Sequence, residues 1–256
     1  MRSLWIGGSG LLTQQKNIDI IGNNVSNVNT NGYKKNRTSF EDILYANTQQ
    51  NQQPVDEEIR QTPQGIQIGN GVIVSGTKQI FSQGAINNTG KTWDLAIEGP
   101  GFFGVEVDGV THLTREGNFS VDSNGDLVNS SGFEVAGEFQ QNLNDVSNIS
   151  INAAGEVFGT PDGQEESVQI GTVFTYNVNN PEGLLSMGDN LLLATENSGQ
   201  QELYQSNIKQ GALEGSNVDL AEEMTNMITA QRSYQTSARV LHTADEMMSQ
   251  ANNIKR

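Results

Sequence analysis

The sequence predicts a mixed, β-rich fold, in which two terminal α-helices form a discontinuous coiled-coil domain and the middle of the chain forms an all-β domain. Three observations predict it. Both ends carry apolar residues at seven-residue spacing, the middle alternates apolar and polar residues between Gly-containing turns, and a polar stretch follows the first helix. A sustained heptad repeat gives a helix a narrow apolar seam that needs a partner helix, whereas alternation between short turns is typical of strands.

The first helix is predicted over residues 3–28, with Ser3 as its N-cap and the Asn- and Gly-containing residues 29–32 as its stop. Glycines between residues 7 and 10 each cost about 1 kcal/mol relative to Ala. The first turns are therefore expected to be poorly helical until the chain assembles. The apolar seam that we expect to make assembly contacts comprises Leu4, Leu11, Ile18, Ile21, Val25 and Val28.

The second helix is predicted over residues 217–254, where Asp219 precedes Glu222 at the spacing of a capping box. Its ionic residues lie outside the seam. The expected assembly seam of this helix comprises Leu220, Met227, Tyr234, Leu241 and Met248. The adjoining small residues, which allow a close approach of another helix, are Ala230, Ser237, Ala244 and Ala251.

The middle of the chain reads as strands from Ile66 to about Tyr204. Residues 119–128 predict a hairpin, because an Asn-Gly pair lies between two short apolar runs. A short helical turn is expected around Phe40 and Ile43. Residues 46–64 are rich in Gln and Asn, contain two prolines and hold few apolar residues, which indicates a linker or an extended arm.

These features predict three parts. Residues 1–32 and 217–256 form the terminal helical domain, residues 33–65 form the linker or arm, and residues 66–216 form the central β domain. An alternative for the terminal helices is that each packs on the β domain as ordinary core, because an amphipathic helix also buries its apolar face against a sheet.

The composition and the apolar pattern argue against several classes of function. The formal net charge is −16 at pH 7, which argues against nucleic-acid binding and against adhesion to anionic lipid. There is no Cys and hence no disulfide. No apolar run approaches the roughly 20 residues that span a bilayer, so direct membrane insertion is not expected. The N-terminus is a poor signal peptide, so export would have to proceed without a classical cleaved signal.

Three catalytic look-alikes do not meet their chemical requirements. Residues 84–92 resemble a phosphate-binding loop but have five residues between the glycines instead of four. Residues 122–126 resemble a calcium loop, but Leu127 stands where the turn needs Gly. His112 and His242 have no metal-ligand spacing. The sequence therefore predicts no catalytic residue, no cofactor and no metal site.

Four stretches, in this order along the chain, closely resemble the signatures of the bacterial flagellar rod and hook proteins: residues 23–34, 98–103, 114–127 and 213–234. Together they extend over essentially the whole chain. The residues that carry the resemblance are Asn23, Asn24, Asn27, Thr30, Gly32, Gly99, Gly101, Phe102, Phe103, Gly215 and Asn217.

The resemblance implies a structural subunit that polymerises into a helical tube, transmits torque and conducts export, with the terminal helices lining the channel. It implies export through the type III apparatus and a place in the basal body of the flagellum, outside the cytoplasm. The implied partners are copies of the same chain, other rod proteins, the hook protein and ring bushings around the rod. The chain length and the Gln-rich arm at residues 46–70 favour the distal rod.

Two alternatives remain at this stage. Within the same axial family, the chain is a hook or proximal-rod relative, although a hook protein would usually carry further outer domains and a proximal-rod protein would usually lack the arm. From another class, it is an envelope-binding module with oligomerising termini. An enzyme is not expected, because nothing assembles a nucleophile, a base and an oxyanion site.

Overall fold

A computed structural model describes residues 2–43, 46–48, 66–161 and 166–254. The chain divides into two compact units. The helical unit contains the segments Met1–Asn23, Asn36–Lys78 and Ala221–Arg256, and the β unit contains the segments Asn24–Lys35 and Gln79–Leu220. The three domain ranges expected from the sequence stay a prediction.

Two long helices lie at the ends of the chain, α1 over Arg2–Ser26 and α2 over Leu220–Ile254. The expectation that the first turns of α1 are poorly helical is wrong for the single chain, since α1 is continuous from Arg2. The physical reason is packing. Gly7 is buried, and a Cβ at this position would lie 3.6 Å from the Cβ of Leu241 in α2. Contact with α2 therefore offsets the helix propensity that Gly lacks.

The helical unit also contains two strand pairs, one of β1 with β4 and an antiparallel one of β2 with β3. Their bounds are β1 Asn36–Asp42, β2 Ala46–Thr48, β3 Ile66–Ile68 and β4 Val72–Gln79. The helical turn expected around Phe40 and Ile43 is wrong. Thr38 of β1 is buried and donates a hydrogen bond to Asn17 Oδ1 at 3.0 Å, while the Ile43 amide bonds Gly71 O at 3.0 Å. These long-range bonds hold the segment extended.

The β unit consists of short strands, which confirms the mixed, β-rich fold class. Two 3-10 turns, Leu143–Asp145 and Pro181–Gly183, interrupt them. The strands are β5 Ile86–Asn88, β6 Leu95–Glu98, β7 Phe102–Val107, β8 Val110–Thr114, β9 Ser120–Val121, β10 Leu127–Val128, β11 Glu134–Val135, β12 Gly137–Phe139, β13 Val146–Ile151, β14 Glu156–Pro161, β15 Val168–Val173, β16 Thr175–Asn177, β17 Leu185–Gly188, β18 Leu191–Leu193, β19 Glu202–Leu203, β20 Asn207–Gln210 and β21 Ala212–Glu214.

The strands of the β unit pair antiparallel. A nine-stranded sheet has the order β17-β18-β8-β7-β11-β10-β9, with β16 pairing both β7 and β19, and a four-stranded sheet has the order β12-β15-β14-β13. Two smaller ladders join β20 to β6 and β21 to β5. The predicted hairpin over residues 119–128 is confirmed, because β9 and β10 pair with Leu127 opposite Val121.

Two apolar cores lie on either side of β7. Phe102 and Phe103 are both buried, and successive strand residues point to opposite faces of a sheet. Phe103 packs edge-to-face on Phe119, with ring centroids 5.2 Å apart, in the larger core between the sheets. Phe102 packs in the same way on Phe81, at 5.6 Å, in a smaller core. One strand therefore anchors both cores.

Replacing Phe103 by Ala is expected to lower the free energy of unfolding of the β unit by about 3–5 kcal/mol, because it leaves a cavity in the larger core. Phe40→Ala is the matched control, since it removes the same group from an exposed position of the helical unit. Urea unfolding followed by the fluorescence of Trp93, which packs against the larger core, measures the cost in a Trp5→Phe background. Similar midpoints for the two variants would contradict the assigned core.

Candidate assembly site

The seam residues of α1 face inward. Ile21 is buried, and Leu4, Leu11, Ile18 and Val25 are half-buried, as is Val28 just beyond the helix end. Other apolar residues of α1 face solvent, with Trp5 68 % and Leu12 66 % exposed. The outward apolar face of α1 in a single chain is therefore not the heptad seam but the neighbouring stripe.

The seam of α2 has the opposite character. Leu220, Tyr234 and Met248 are 44 %, 38 % and 40 % exposed, whereas Met227 and Leu241 are half-buried. The residues buried along this helix lie three positions after a seam residue: Glu223, Ala230 and Ala244. A single chain therefore leaves three of the five predicted seam residues open to a partner. That they make assembly contacts stays a prediction.

Small residues set the contact between the two helices. A Cβ on Gly10 would lie 3.3 Å from Ser237 Oγ, and one on Gly7 would lie 3.7 Å from Ser237 O. Gly8, in contrast, faces open space. The sequence suggests that these glycines only weaken α1, and it does not reveal that two of them let α2 approach.

A fully buried carboxylate, that of Glu214 at the end of β21, lies between two buried cations. Lys34 Nζ donates to Glu214 Oε1 at 2.5 Å, and Arg115 Nη1 donates to Oε2 at 3.1 Å. The backbone N–H of Gly84 also donates to Oε1, at 2.9 Å. We call Lys34, Arg115 and Glu214 the Glu214 cluster.

The cations of the Glu214 cluster also bond backbone carbonyls. Lys34 Nζ donates to Ser82 O at 2.9 Å, and Arg115 Nη2 donates to Gly99 O at 2.8 Å. The guanidinium of Arg115 lies over the ring of Phe102, 5.1 Å from its centroid, in a cation–π contact. These bonds satisfy polar groups that burial would otherwise leave without water.

Burial acts against the charged forms of these cations. Desolvation lowers the pKa of the Lys34 ammonium, and the hydrogen bond and charge of Glu214 oppose that shift. Desolvation likewise lowers the pKa of the Arg115 guanidinium, again opposed by Glu214. Removing one partner of such a buried pair typically costs about 3–5 kcal/mol, because it leaves an uncompensated charge. Glu214 has two cations to compensate and is the critical member.

Two signature residues, Gly32 and Asn217, join the segment before β1 to the segment before α2 beside the Glu214 cluster. The N–H of Gly32 donates to Glu214 O at 2.7 Å. Asn217 Oδ1 accepts from the Lys35 N–H at 2.7 Å, and Asn217 Nδ2 donates to Ile80 O at 2.7 Å. The segment before β1 and the segment before α2 are thus bonded to each other inside the β unit.

Other signature residues have structural places nearby. Gly99 and Gly101 have φ values of +98° and +127°, which favour Gly. Gly215 lies so close to Gly84 that a Cβ on Gly84 would overlap Gly215 O. Asn24 is buried and accepts a hydrogen bond from the Tyr33 hydroxyl at 3.1 Å.

The remaining signature residues lie apart from the cluster. Thr30 donates to Asn27 Oδ1 at 3.0 Å, and Phe103 belongs to the larger core. Asn23 is exposed at the C-terminal part of α1. The signature residues therefore include both the surroundings of the Glu214 cluster and positions that serve local turns or packing.

The two histidines have ordinary places. His112 Nδ1 lies 3.1 Å from Val110 O, and the exposed His242 lies 3.4 Å from Glu246. Within the described ranges, no group of three or more His, Cys, Asp or Glu side chains is placed to hold a metal ion. Among the same residues, neither helix is long and apolar enough to cross a membrane.

Three family models match the chain. Residues 4–34 match "Flagella basal body rod protein", residues 96–159 match "Flagellar hook protein FlgE/F/G D1 domain", and residues 209–254 match "Flagellar basal body rod FlgEFG protein C-terminal". The flagellar basal-body rod protein FlgG of Borreliella burgdorferi is 39 % identical over 100 % of this chain and 99 % of its own. The chain belongs to the flagellar basal-body rod and hook family.

Further relatives agree with this membership. FlgG of Buchnera aphidicola subsp. Schizaphis graminum is 39 % identical over 96 % of each chain. The flagellar hook-basal body complex protein FlhP of Bacillus subtilis is 32 % identical over 100 % of each chain. The resemblance in the four signature stretches is confirmed, and membership makes the chain a structural protein of the flagellar basal-body rod.

The Glu214 cluster draws one residue from each matched family segment. Lys34 lies in the N-terminal rod segment, Arg115 in the D1 segment and Glu214 in the C-terminal segment. Heptad spacing does not single out any of them, because each is one charged residue in a polar stretch. The signal in the sequence is their position inside the signature stretches of a rod protein.

Gly32→Ala is expected to destabilise the β unit by more than the strain of its φ of +70° alone. That strain costs an L-residue about 1–2 kcal/mol. At Gly32 a Cβ would also lie 2.6 Å from the backbone of Arg115 and Glu116, which adds at least about 1 kcal/mol. Gly90→Ala is the control, because Gly90 has a φ of +71° and open space around it. Equal losses in urea unfolding would contradict a clash at Gly32.

Proposed function

We propose that the chain is a distal-rod subunit that polymerises into a helical tube, transmits torque and conducts export through its channel. Full-length identity to FlgG proteins supports this proposal. Residues 1–32 and 217–256 form the inner, channel-lining domain of the subunit. Residues 33–65 form an arm, and residues 66–216 form the outer β domain.

The observation that carries assembly is the amount of apolar surface on the terminal helices. A monomeric soluble protein rarely leaves so many large apolar side chains in solvent, and exposed patches of this kind mark interaction sites. The exposed apolar residues of α1 and α2 are Trp5, Ile6, Leu12, Leu220, Met224, Ile228, Tyr234, Val240, Met247 and Met248. Helices of neighbouring copies cover them in the tube, because head-to-tail contacts that do not close into a ring generate open helical polymers.

The partners follow from this place in the flagellum. They are other copies of the chain, the rod and hook proteins that adjoin the distal rod, and the rings that surround it. The chain reaches this place through the type III export apparatus. It binds no nucleic acid and acts as a structural protein rather than an enzyme.

Breaking one helix contact tests assembly. Leu241→Asp is expected to abolish polymerisation, because it places a charge where α2 meets Gly7 of α1. Electron microscopy should show tubes of the purified wild-type protein and none of the variant. In a strain that lacks the gene, the wild-type gene should restore swimming and the variant should not.

Gln235→Asp is the control for Leu241→Asp, since it adds the same charge at an exposed position of α2. It should assemble as the wild type does, and near-ultraviolet circular dichroism should show a folded β unit in both variants. Tubes formed by Leu241→Asp would contradict the packing of α2 on α1 as a requirement for assembly. A deletion strain that still swims would contradict the rod function itself.

Salt is expected to promote assembly. In the β unit, acidic residues outnumber basic ones more than threefold, whereas the two are nearly balanced in the helical unit. Most of the net charge of −16 therefore lies on β units that repel each other in a tube. The screening length falls from about 30 Å at 0.01 M salt to about 3 Å at 1 M.

Sedimentation of the purified protein across a sodium chloride series measures this effect. The critical concentration should fall as salt rises. The double variant Glu134→Gln/Glu138→Gln removes two exposed charges of the β unit and should flatten the dependence. A critical concentration that rises with salt would contradict repulsion between β units.

A further inference from the structure

We propose that Glu214 is a positioning residue, which couples the terminal helices mechanically to the β unit. This inference rests on the proposed function, since torque must pass between the helices and the β unit in a rod subunit. It concerns a cluster to which none of the matched families' descriptions assigns a role.

Both helices are joined to the β unit along the chain. The chain leaves the β unit towards α1 through residues 24–35 and towards α2 through residues 212–220. The chain also crosses between the units at residues 35/36 and 78/79, but force that passes along the chain directly from either helix enters the β unit through these two segments. If the segments were loosely held loops, each would stretch before it transmitted force.

The two segments meet at one carboxylate, that of Glu214. Lys34 lies in the first segment and Glu214 in the second, and their side chains bond at 2.5 Å across 180 residues of sequence. The Gly32 N–H adds a bond to Glu214 O at 2.7 Å, and the Asn217 side chain accepts from the Lys35 N–H at 2.7 Å. The two segments are thus joined to each other by ionic and neutral bonds.

The carboxylate of Glu214 is also bonded to the body of the β unit through Arg115. Arg115 follows directly on β8, whose neighbour in the nine-stranded sheet is β7. Its guanidinium bonds Glu214 Oε2 and Gly99 O, and lies over the ring of Phe102 in the smaller core. A force on either segment therefore passes through Glu214 into the nine-stranded sheet.

The Glu214 cluster is ionic although its side chains are buried. Two buried cations with one carboxylate gain little net stability over a well-packed apolar set, since desolvation offsets their attraction. Directional charge-assisted hydrogen bonds, however, fix the geometry of their partners. The charges thus set the positions of the segments rather than the stability of the fold.

Amide hydrogen exchange of the full-length purified chain tests this role. Glu214→Gln keeps the shape of the side chain but removes its charge. It should raise exchange at the Gly32, Lys35 and Gly84 amides by at least about tenfold. The Ala136 and Val173 amides, which bond inside the β unit, should change much less. A uniform rise at all five amides, or no rise, would overturn the proposal.

A second variant covers the case in which Glu214→Gln does not fold. The triple variant Lys34→Met/Arg115→Met/Glu214→Leu fills the site with apolar side chains and leaves no unpaired charge. It should fold with a protected core and still show fast exchange at Gly32 and Gly84. Wild-type protection at these two amides would overturn the proposal, because apolar packing alone would then hold the segments.

Swimming under load separates this inference from the rod function. In a strain that lacks the gene, the wild-type gene should restore swimming in dilute and in viscous medium. Glu214→Gln should lose speed selectively in viscous medium, whereas Glu134→Gln, an exposed charge on β11, should not. Equal speeds of the two variants under load would overturn the coupling. Failure of the wild-type gene to restore swimming would instead overturn the proposed function and leave the exchange result standing.

Discussion

A carboxylate without water must be paired, and in this chain the carboxylate of Glu214 is paired twice. Burial disfavours the charges of both Lys34 and Arg115, and the carboxylate of Glu214 compensates them, so the three side chains stabilise one another. Around them the β4–β5 connection, the Gly99 turn and the Phe102 ring find their places through bonds to the same two cations. The arrangement of the β unit at the point where the chain enters and leaves it depends on this interaction.

The helical unit obeys a different constraint, that of close approach. Gly7, Gly10 and Ser237 leave room for the two helices to approach closely, while other positions of the helices, such as Trp5 and Leu12, leave large apolar side chains exposed. Apolar side chains of both helices therefore remain exposed in the single chain. Ion pairs hold the segments through which the chain enters and leaves the β unit. Close packing of small residues, in contrast, holds the two helices together.

Much of the fold follows from sequence pattern, because the patterns have simple physical causes. Heptads predict α1 and α2, and alternation around Asn124 and Gly125 predicts the β9–β10 hairpin. Pattern fails where a distant contact decides, as at β1, which a buried bond from Thr38 to α1 keeps extended. It fails again at Lys34, Arg115 and Glu214, because no periodicity reports which charged residues meet across 99 or 180 positions.

The distance along the chain between Lys34 and Glu214 also bears on the order of folding. A contact that spans 180 residues carries a large loop-closure entropy and forms late, after local hairpins have already paired. Because synthesis begins at the N-terminus, Lys34 and Arg115 are made before the carboxylate that they bind. A product truncated before residue 214 would leave both cations stranded. The cluster can therefore close only in a chain that extends to residue 214.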